Sequence, residues 1–249
     1  MFVLHKAYGA TPLQTLDVFR ARESQYATTK LGYAGRLDPL AEGVLLVLEG
    51  EENLDPAPWR ALDKQYDVSV LFGFGTDSDD LLGLLMAHHD DDCDRGIVER
   101  SFDQFRGTID QRLPSFSSPK VRGRRLYAWA RDGGGGEVPS VQRECTVRSL
   151  TNRGWTTVSR DELRDGVNRA VSSVHGDFRQ DAIAERWLVA MAESRRSHWH
   201  VVHLSVHCSS GTYMRALARD LGDASGTPAI AWRIVRTAVG PYTLADARV

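Results

Sequence analysis

The stretch from residue 32 to residue 48, GYAGRLDPLAEGVLLVL, holds the first side chain suited to catalysis. Asp38 lies directly before Pro39, and a residue before proline is driven out of the helical region into extended backbone. The carboxylate is therefore predicted to project from a stiff loop, where it could act as a base or a nucleophile. The apolar run 44–48 that follows is short enough to be a buried strand. Asp-Pro is also an ordinary turn opener, so these residues alone leave both interpretations open.

A second charged residue, Arg215, is unusual for its position in a predicted helix. The segment HCSSGTYMRALARDLG places apolar residues at helical spacing, at Met214, Leu217, Ala218 and Leu221, and Gly222 is expected to end the helix. A cation in the first turn of a helix is opposed by the helix dipole, by about 0.3–1 kcal/mol when exposed. We therefore expect an acidic or anionic group beside Arg215.

A basic segment with interleaved aromatic residues, LPSFSSPKVRGRRLYAWAR at 113–131, favours contact with RNA. Its second half contains no acid and carries Lys120, Arg122, Arg124, Arg125 and Arg131, together with Tyr127 and Trp129. Phosphates attract such cations, and exposed bases stack on aromatic rings. A solvated basic helix with two core aromatics would show the same pattern. The glycine run 133–136 that follows is expected to be a flexible linker.

The composition is that of an ordinary soluble globular protein, with 42% hydrophobic and 26% charged residues. The formal net charge is -2, but seven aspartates lie between residues 76 and 94, so the rest of the chain is net positive. An RNA-binding surface needs a local cluster of cations rather than a basic total. The sequence shows neither an apolar run of membrane-spanning length nor a secretory signal, so we expect a cytoplasmic protein without a membrane partner.

Two histidine-containing segments could suggest a metal site, but their geometry argues against one. His88 and His89 precede three aspartates, yet adjacent residues point in different directions on a strand or a helix. In the predicted strand over 198–208, strand parity divides the histidines between two faces, with His198 and His200 on one and His203 and His207 on the other. The three cysteines are far apart and lack CxxC spacing, which disfavours a zinc site or a disulfide framework. We expect no metal.

Three segments, in the same order along the chain, resemble the TruB family of tRNA pseudouridine synthases. GRLDPLAEGVL at 35–45 is similar to the family's catalytic-aspartate motif, Gly-x-Leu-Asp-Pro-Leu-Ala-x-Gly-x-Leu. The basic segment resembles the family's Pro-x-x-Ser-Ala-x-Lys-x-x-Gly-x-x-x-Tyr-x-x-Ala-Arg, part of a thumb-like loop that grips the RNA. CSSGTYMR at 208–215 is similar to Cys-Ser-x-Gly-Thr-Tyr-Ile-Arg, whose arginine pairs with the catalytic aspartate. Lys64-x-Tyr66 and the closing segment around Arg236 add weaker matches.

The resemblance implies a fold and a reaction. The fold is α+β, the pseudouridine synthase fold, with a long mixed, mostly antiparallel sheet flanked by helices and a central catalytic cleft. The reaction is isomerisation of a uridine to pseudouridine in RNA, in the family usually at position 55 in the T loop of tRNA, without a cofactor. Asp38 would be the catalytic residue, as base or nucleophile, Arg215 its partner, and Tyr66 would stack on the uracil. The further substrate-binding residues expected are Tyr33, Lys6, Lys64, Lys120, Arg122, Arg124 and Arg125.

Two departures from the family pattern support a second interpretation. Where relatives place His-Thr just before the aspartate motif, after the glycine that corresponds to Gly32, this chain has Tyr33 and Ala34. The opening segment His5–Gly9 keeps only the lysine and the glycine of the family's Asp-Lys-Pro-x-Gly. A tyrosine can stack on a base but lacks the hydrogen bonds of an imidazole, so the resemblance does not fix the target uridine. The alternative is a non-catalytic protein that binds and folds tRNA.

We expect these residues to lie in one catalytic domain, 1–249. We also expect this domain to act as a monomer and to carry no additional PUA RNA-binding domain. Residues 64–72 alternate as a strand does, and a short helix is expected over 101–109, ending near Gly107. Between about residues 157 and 197 the sequence no longer resembles the family. There, helical patterns over 161–171 and 181–195 predict a helical insertion on the outside of the core.

Overall fold

The computed structural model describes residues 1–132 and 138–248, so the predicted linker at 133–136 lies outside the described residues. The strands are β1 (Phe2–Lys6), β2 (Leu31–Ala34), β3 (Ala41–Glu49), β4 (Lys64–Phe72), β5 (Phe74–Thr76), β6 (Leu85–His88), β7 (Gly107–Arg112), β8 (Lys120–Val121), β9 (Arg124–Arg125), β10 (Gln142–Ser159), β11 (His198–Cys208), β12 (Ala229–Val239), β13 (Tyr242–Thr243) and β14 (Ala247–Arg248). The α-helices are α1 (Pro12–Arg22), α2 (Ala57–Ala61), α3 (Arg95–Ser101), α4 (Leu126–Asp132), α5 (Arg160–Ser173), α6 (Gln180–Glu193) and α7 (Met214–Ser225). Within these described parts, none of the helices has the length and apolar character needed to span a bilayer.

Ten strands of the described residues form one mixed sheet through the centre of the fold. Eight of them lie in the order β14-β1-β3-β12-β4-β11-β10-β7, while β2 pairs with β3 and β13 pairs with β12. The pairs β1–β14 and β3–β12 are parallel, and the other pairs are antiparallel. The predicted α+β class with a mixed, mostly antiparallel sheet is confirmed.

The alternation of side chains along β11 explains why helices cover both faces of the sheet. Val202, Leu204 and Val206 belong to the hydrophobic core beneath α3 and α7. Trp199 and Val201 point the other way and belong to the core beneath α5 and α6. All five side chains are buried, so β11 is covered from both sides, as expected for a strand near the middle of a large sheet.

Helices α5 and α6 are the two helices predicted for the insertion. α5 begins with a capping box, in which the Ser159 hydroxyl accepts a hydrogen bond from the Glu162 amide. On α6, Trp187 is fully buried and its ring lies 4.9 Å from that of Phe74. Residues 160–193, called the α5–α6 unit below, therefore cover apolar surface of the sheet.

The predicted helix over 101–109 is correct only as far as Phe105. α3 ends at Ser101, a 3-10 turn covers Phe102–Phe105, and β7 begins at Gly107. Gly107 has a φ of 80°, which a continuing helix does not allow. Residues 107–112 pair with β10 instead, and this long-range pairing overrides the local helical pattern.

Helix α7 buries the four apolar residues that the sequence placed on one face, Met214, Leu217, Ala218 and Leu221. Its predicted end at Gly222 is wrong, because α7 continues to Ser225 and Gly226 forms the left-handed C-cap. Gly222 is required by close packing, since a Cβ there would lie 2.6 Å from the amide nitrogen of Ala229 on β12. α7 therefore lies directly against the strand that crosses the centre of the sheet.

Replacing Gly222 by alanine tests this close approach. In an open helix, Gly→Ala would stabilise the protein by about 1 kcal/mol. Here we expect Gly222→Ala to lower the free energy of unfolding by about 1–3 kcal/mol, because the new methyl group overlaps Ala229. Denaturant-induced unfolding measures the change. The exposed Ala224→Gly on the same helix is the matched control and should lose no more than about 1 kcal/mol. A more stable Gly222→Ala protein would contradict the close packing.

Candidate active site

Asp38 and Arg215 meet although they are 177 residues apart in the sequence. Arg215 Nε donates a hydrogen bond of 2.8 Å to Asp38 Oδ2. The arginine side chain is only 3% exposed, whereas the aspartate side chain is 39% exposed. The pair therefore has a buried cation behind an accessible carboxylate, and the acidic partner expected beside Arg215 is present.

Arg215 is held by backbone oxygens from two loops. One terminal nitrogen donates to the carbonyl of Ser78 at 2.6 Å, and the other donates to the carbonyl of Phe116 at 3.0 Å. A second carboxylate, Asp80, lies 3.7 Å from Nε. Burial by itself lowers the pKa of Arg215, but the nearby carboxylates outweigh this effect and raise it. Arg215 is thus a fixed, permanently charged group.

Sequence analysis did not single out Asp80, which it counted only among the seven aspartates between residues 76 and 94. Asp80 is buried, and its Oδ1 accepts hydrogen bonds from the Ser78 hydroxyl at 2.6 Å and the Leu82 amide at 3.0 Å. Burial raises the pKa of Asp80 to about 6, against the opposing effect of Arg215. The apolar run at 81–85 was the available signal, because it places the preceding aspartates at the edge of the core.

Arg236 and Lys6 fix the backbone of the Asp38 loop. The Arg236 guanidinium is buried and donates to the carbonyls of Val44, Arg36 and Gly35 at 2.8, 3.2 and 3.2 Å. The Lys6 ammonium is fully buried and donates to the carbonyls of Ala7, Pro39 and Ala41. The expected contact of Lys6 with substrate is therefore wrong, because all of its hydrogen bonds go to backbone around Asp38.

Lys64 is also turned inward. Its ammonium donates to the carbonyls of Arg60 and Leu62 at 2.6 and 2.5 Å, and the residue is 5% exposed. Burial lowers the pKa of Lys64 and of Lys6 to about 8. Lys64 lies in the wall of the cleft, but its charge is directed to the turn between α2 and β4 rather than to a ligand.

The Asp38 carboxylate opens into a cleft of about 990 Å³. Tyr66, at the start of β4, is 8% exposed and lines the cleft, and burial raises the pKa of its phenol. Tyr33 on β2 lines the same cleft, as the resemblance implied. Two lining residues that sequence analysis did not single out are Arg143 on β10 and Tyr213 directly before α7. The volume is at the upper end of the range for small-molecule sites, and the lining combines aromatic rings with charges.

The basic segment forms a small unit at the rim, residues 120–132, called the thumb below. Lys120, Arg122 and Arg125 are exposed, and Arg125 also lines the cleft. Arg124 differs, because it pairs with Asp132 and lies 4.9 Å above the ring of Trp129. The guanidinium of Arg124 therefore holds the thumb together, and its expected RNA contact stays a prediction.

The clustered histidines contact separate partners. His203 lies between Ser69 and Thr156, each at 2.9 Å. His200 contacts Arg95 at 2.8 Å, and His207 lies 3.6 Å from Asp63. Over residues 1–132 and 138–248, no group of three or more His, Cys, Asp or Glu side chains is arranged to hold a metal ion.

Comparison with known proteins identifies the family. Residues 23–164, more than half of the chain, match the model described as TruB family pseudouridylate synthase, N-terminal domain. The chain belongs to the TruB family. The curated relatives are each named tRNA pseudouridine synthase B. The one from Novosphingobium aromaticivorans is 33% identical and covers 91% of this chain, and the one from Corynebacterium glutamicum is 32% identical and covers 99%.

The TruB relatives are longer than this chain. It spans 62% of the Novosphingobium aromaticivorans protein, 59% of the Synechocystis protein and 69% of the Corynebacterium glutamicum protein. Among solved structures, a Cbf5-Nop10-Gar1 complex matches with a TM-score of 0.56 at 18% identity, over 97% of this chain and 49% of that chain. An H/ACA RNP bound to a substrate RNA containing 2'-deoxyuridine matches with a TM-score of 0.54 at 17% identity, over 97% of this chain and 48% of that chain. These structures support the fold.

The raised pKa of Asp80 predicts a specific pH dependence of stability. Between its ordinary pKa of 3.8 and about 6, the unfolded carboxyl is ionised while the folded one stays protonated, so stability falls as pH rises. From pH 4 to pH 7, we expect wild type to lose about 2 kcal/mol relative to Asp80→Asn, which cannot ionise. Denaturant unfolding of both proteins across this range measures the difference. Parallel stability curves would show that Asp80 keeps an ordinary pKa.

Proposed function

We propose that this chain isomerises a uridine of tRNA to pseudouridine, with Asp38 as the catalytic residue. The observation that carries the proposal is the 2.8 Å contact between Arg215 and an accessible Asp38 carboxylate in a nucleotide-sized cleft. Membership of the TruB family and the name shared by the curated relatives support the same reaction. The target we propose is position 55 in the T loop, as in the family that the sequence resembles.

The reaction breaks the bond between uracil and ribose, rotates the uracil and forms a carbon–carbon bond to the same sugar. The target base must first leave its stack, which costs a few kcal/mol. As base or as nucleophile toward the sugar, Asp38 must be ionised and aimed. Arg215 supplies a permanent positive charge at Oδ2, and the carbonyls of Ser78 and Phe116 fix the orientation of that charge. This arrangement is built before substrate arrives, so little reorganisation is needed during the reaction.

Tyr66 is proposed to hold the flipped uracil. Its ring lies in the wall of the same cleft as Asp38, where a base could stack on it. Because burial raises the pKa of its phenol, Tyr66 stays protonated near neutral pH and can donate a hydrogen bond. Tyr33 offers a second ring in the cleft for the RNA around the target base.

The thumb is proposed to bind the RNA backbone. Arg125 lines the cleft, and Lys120 is its partner in the β8–β9 pair, so phosphates that flank a flipped nucleotide could reach these cations. The whole site comes from one chain, so we propose a monomer. The three cysteines are free and buried, which suits a reducing compartment such as the cytoplasm.

Asp38→Asn is the direct test of the chemistry. We expect the variant to form no pseudouridine in a T-arm RNA while its dissociation constant stays within about twofold of wild type, because the amide is isosteric but neither basic nor nucleophilic. Product is mapped at nucleotide resolution. Asp67→Asn, an exposed carboxylate on β4, is the control and should keep full activity. Full activity in Asp38→Asn would reject the catalytic role. A wild type that refolds tRNA without forming pseudouridine would favour the non-catalytic alternative.

The salt dependence of RNA binding tests the thumb. Arg122→Ala or Arg125→Ala should weaken T-arm binding and reduce the slope of log Kd against log salt by roughly 1, since each removes one phosphate contact. Arg164→Ala is the control, because this arginine pairs with Asp161 and Asp165 on α5, away from the thumb, and its slope should equal that of wild type. Equal slopes for all three variants would place the phosphates elsewhere.

A further inference from the structure

The loop of the α5–α6 unit reaches the two loops that hold Arg215. Arg179, the residue before α6, has a left-handed φ of 63°. Its two terminal nitrogens donate to both oxygens of Asp77, at 2.6 and 3.1 Å. The guanidinium carbon also lies 4.6 Å from the ring centre of Phe116. One arginine therefore joins the Asp77 loop to the Phe116 loop.

These loops supply the backbone acceptors of Arg215. Ser78, which follows Asp77, accepts from one Arg215 nitrogen, and Phe116 itself accepts from the other. Asp77 Oδ1 also accepts from the Leu84 amide at 2.8 Å, which closes the loop that contains Asp80. Displacement of either loop would change the direction in which Arg215 presents its charge to Asp38.

A second part of the α5–α6 unit lies against the Asp38 side of the pair. Ser173, the last residue of α5, packs on Gly9 so closely that a Cβ at Gly9 would lie 2.6 Å from the Ser173 Cβ. The Gly9 amide donates a hydrogen bond of 2.9 Å to the carbonyl of Pro39, the residue after Asp38. On the same side, Arg169 lies 5.3 Å from the ring centre of Tyr8.

We infer that the α5–α6 unit positions the Asp38–Arg215 pair, with Arg179 as a positioning residue for the reaction. This inference rests on the proposed function. Arg179 and Asp77 are 28% and 23% exposed, so their bidentate pair is partly shielded from water and from salt. A guanidinium that is both bidentate and stacked on a ring fixes geometry in a way that lysine cannot reproduce. Arg179 touches neither Asp38 nor the cleft lining, so its effect on the reaction passes through Arg215.

The test compares Arg179→Ala with Arg164→Ala, a control on α5 whose arginine pairs only with Asp161 and Asp165 of its own helix. Single-turnover rates are measured at saturating enzyme, together with the dissociation constant of a T-arm RNA. We expect Arg179→Ala to slow the rate at least about tenfold with an unchanged dissociation constant, because small displacements of reacting groups have large effects on rate. Arg164→Ala should match wild type in both.

Amide hydrogen exchange gives a readout that needs no activity. In Arg179→Ala, the Leu84 and Leu82 amides should exchange at least about tenfold faster, while Val202 in the sheet stays as in wild type. Asp77→Asn keeps an acceptor for the Leu84 amide but loses the ion pair, so it should show the same slowing of the rate. The double variant should be no slower than either single variant, because both remove one interaction.

Different outcomes separate the two proposals. A wild type that makes no pseudouridine overturns the proposed function, and the exchange data still decide whether Arg179 orders the Asp77 loop. An active wild type with an equally active Arg179→Ala overturns the positioning role. A weaker dissociation constant with an unchanged rate at saturation would make Arg179 an RNA contact and would also overturn it.

Discussion

The structure depends on one buried cation. Arg215 is almost fully removed from water, and an isolated charge there would be strongly destabilising. Asp38, Asp80 and two backbone carbonyls compensate it, and they come from three separate segments of the chain. The fold must therefore bring those segments to a single point. That requirement links the stability of the core to the geometry of the candidate active site.

The central sheet brings the segments together. β3 and β12 pair in parallel, so the Asp38 loop at the start of β3 lies beside Arg236, which is on β12. α7 packs against β12 through Gly222 and directs Arg215 toward the same end of the sheet. Lys6 on β1 donates a further hydrogen bond to the carbonyl of Pro39, next to Asp38. Three buried cations thus bind backbone carbonyls around one carboxylate, an arrangement that fixes loops without relying on a large apolar contact.

The candidate site uses its charges in two ways. Arg236, Lys6, Lys64 and Arg124 are satisfied internally and act on protein backbone or on a neighbouring carboxylate. Lys120, Arg122 and Arg125 remain exposed at the rim. The exposed set gives a chain with a net charge of -2 a local cationic surface. The α5–α6 unit extends the internal set through Arg179, which pairs with Asp77.

The sequence by itself determined the local features. Pro39 sets the extended backbone at Asp38, apolar spacing sets α5, α6 and α7, and apolar residues at mostly alternate positions set β4 and β11. Motif resemblance added the Asp38–Arg215 pairing and the family. Only the tertiary structure decided that Lys6 and Lys64 point inward, that Asp80 is buried, that Gly222 continues a helix and that residues 107–112 form a strand. A local sequence pattern sets the backbone preference of a segment. The partner of a charged side chain, in contrast, comes from segments that are far away in the sequence. The residues next to Lys6 therefore do not specify which carbonyls it will bind, and those next to Asp80 do not specify which guanidinium will lie beside it.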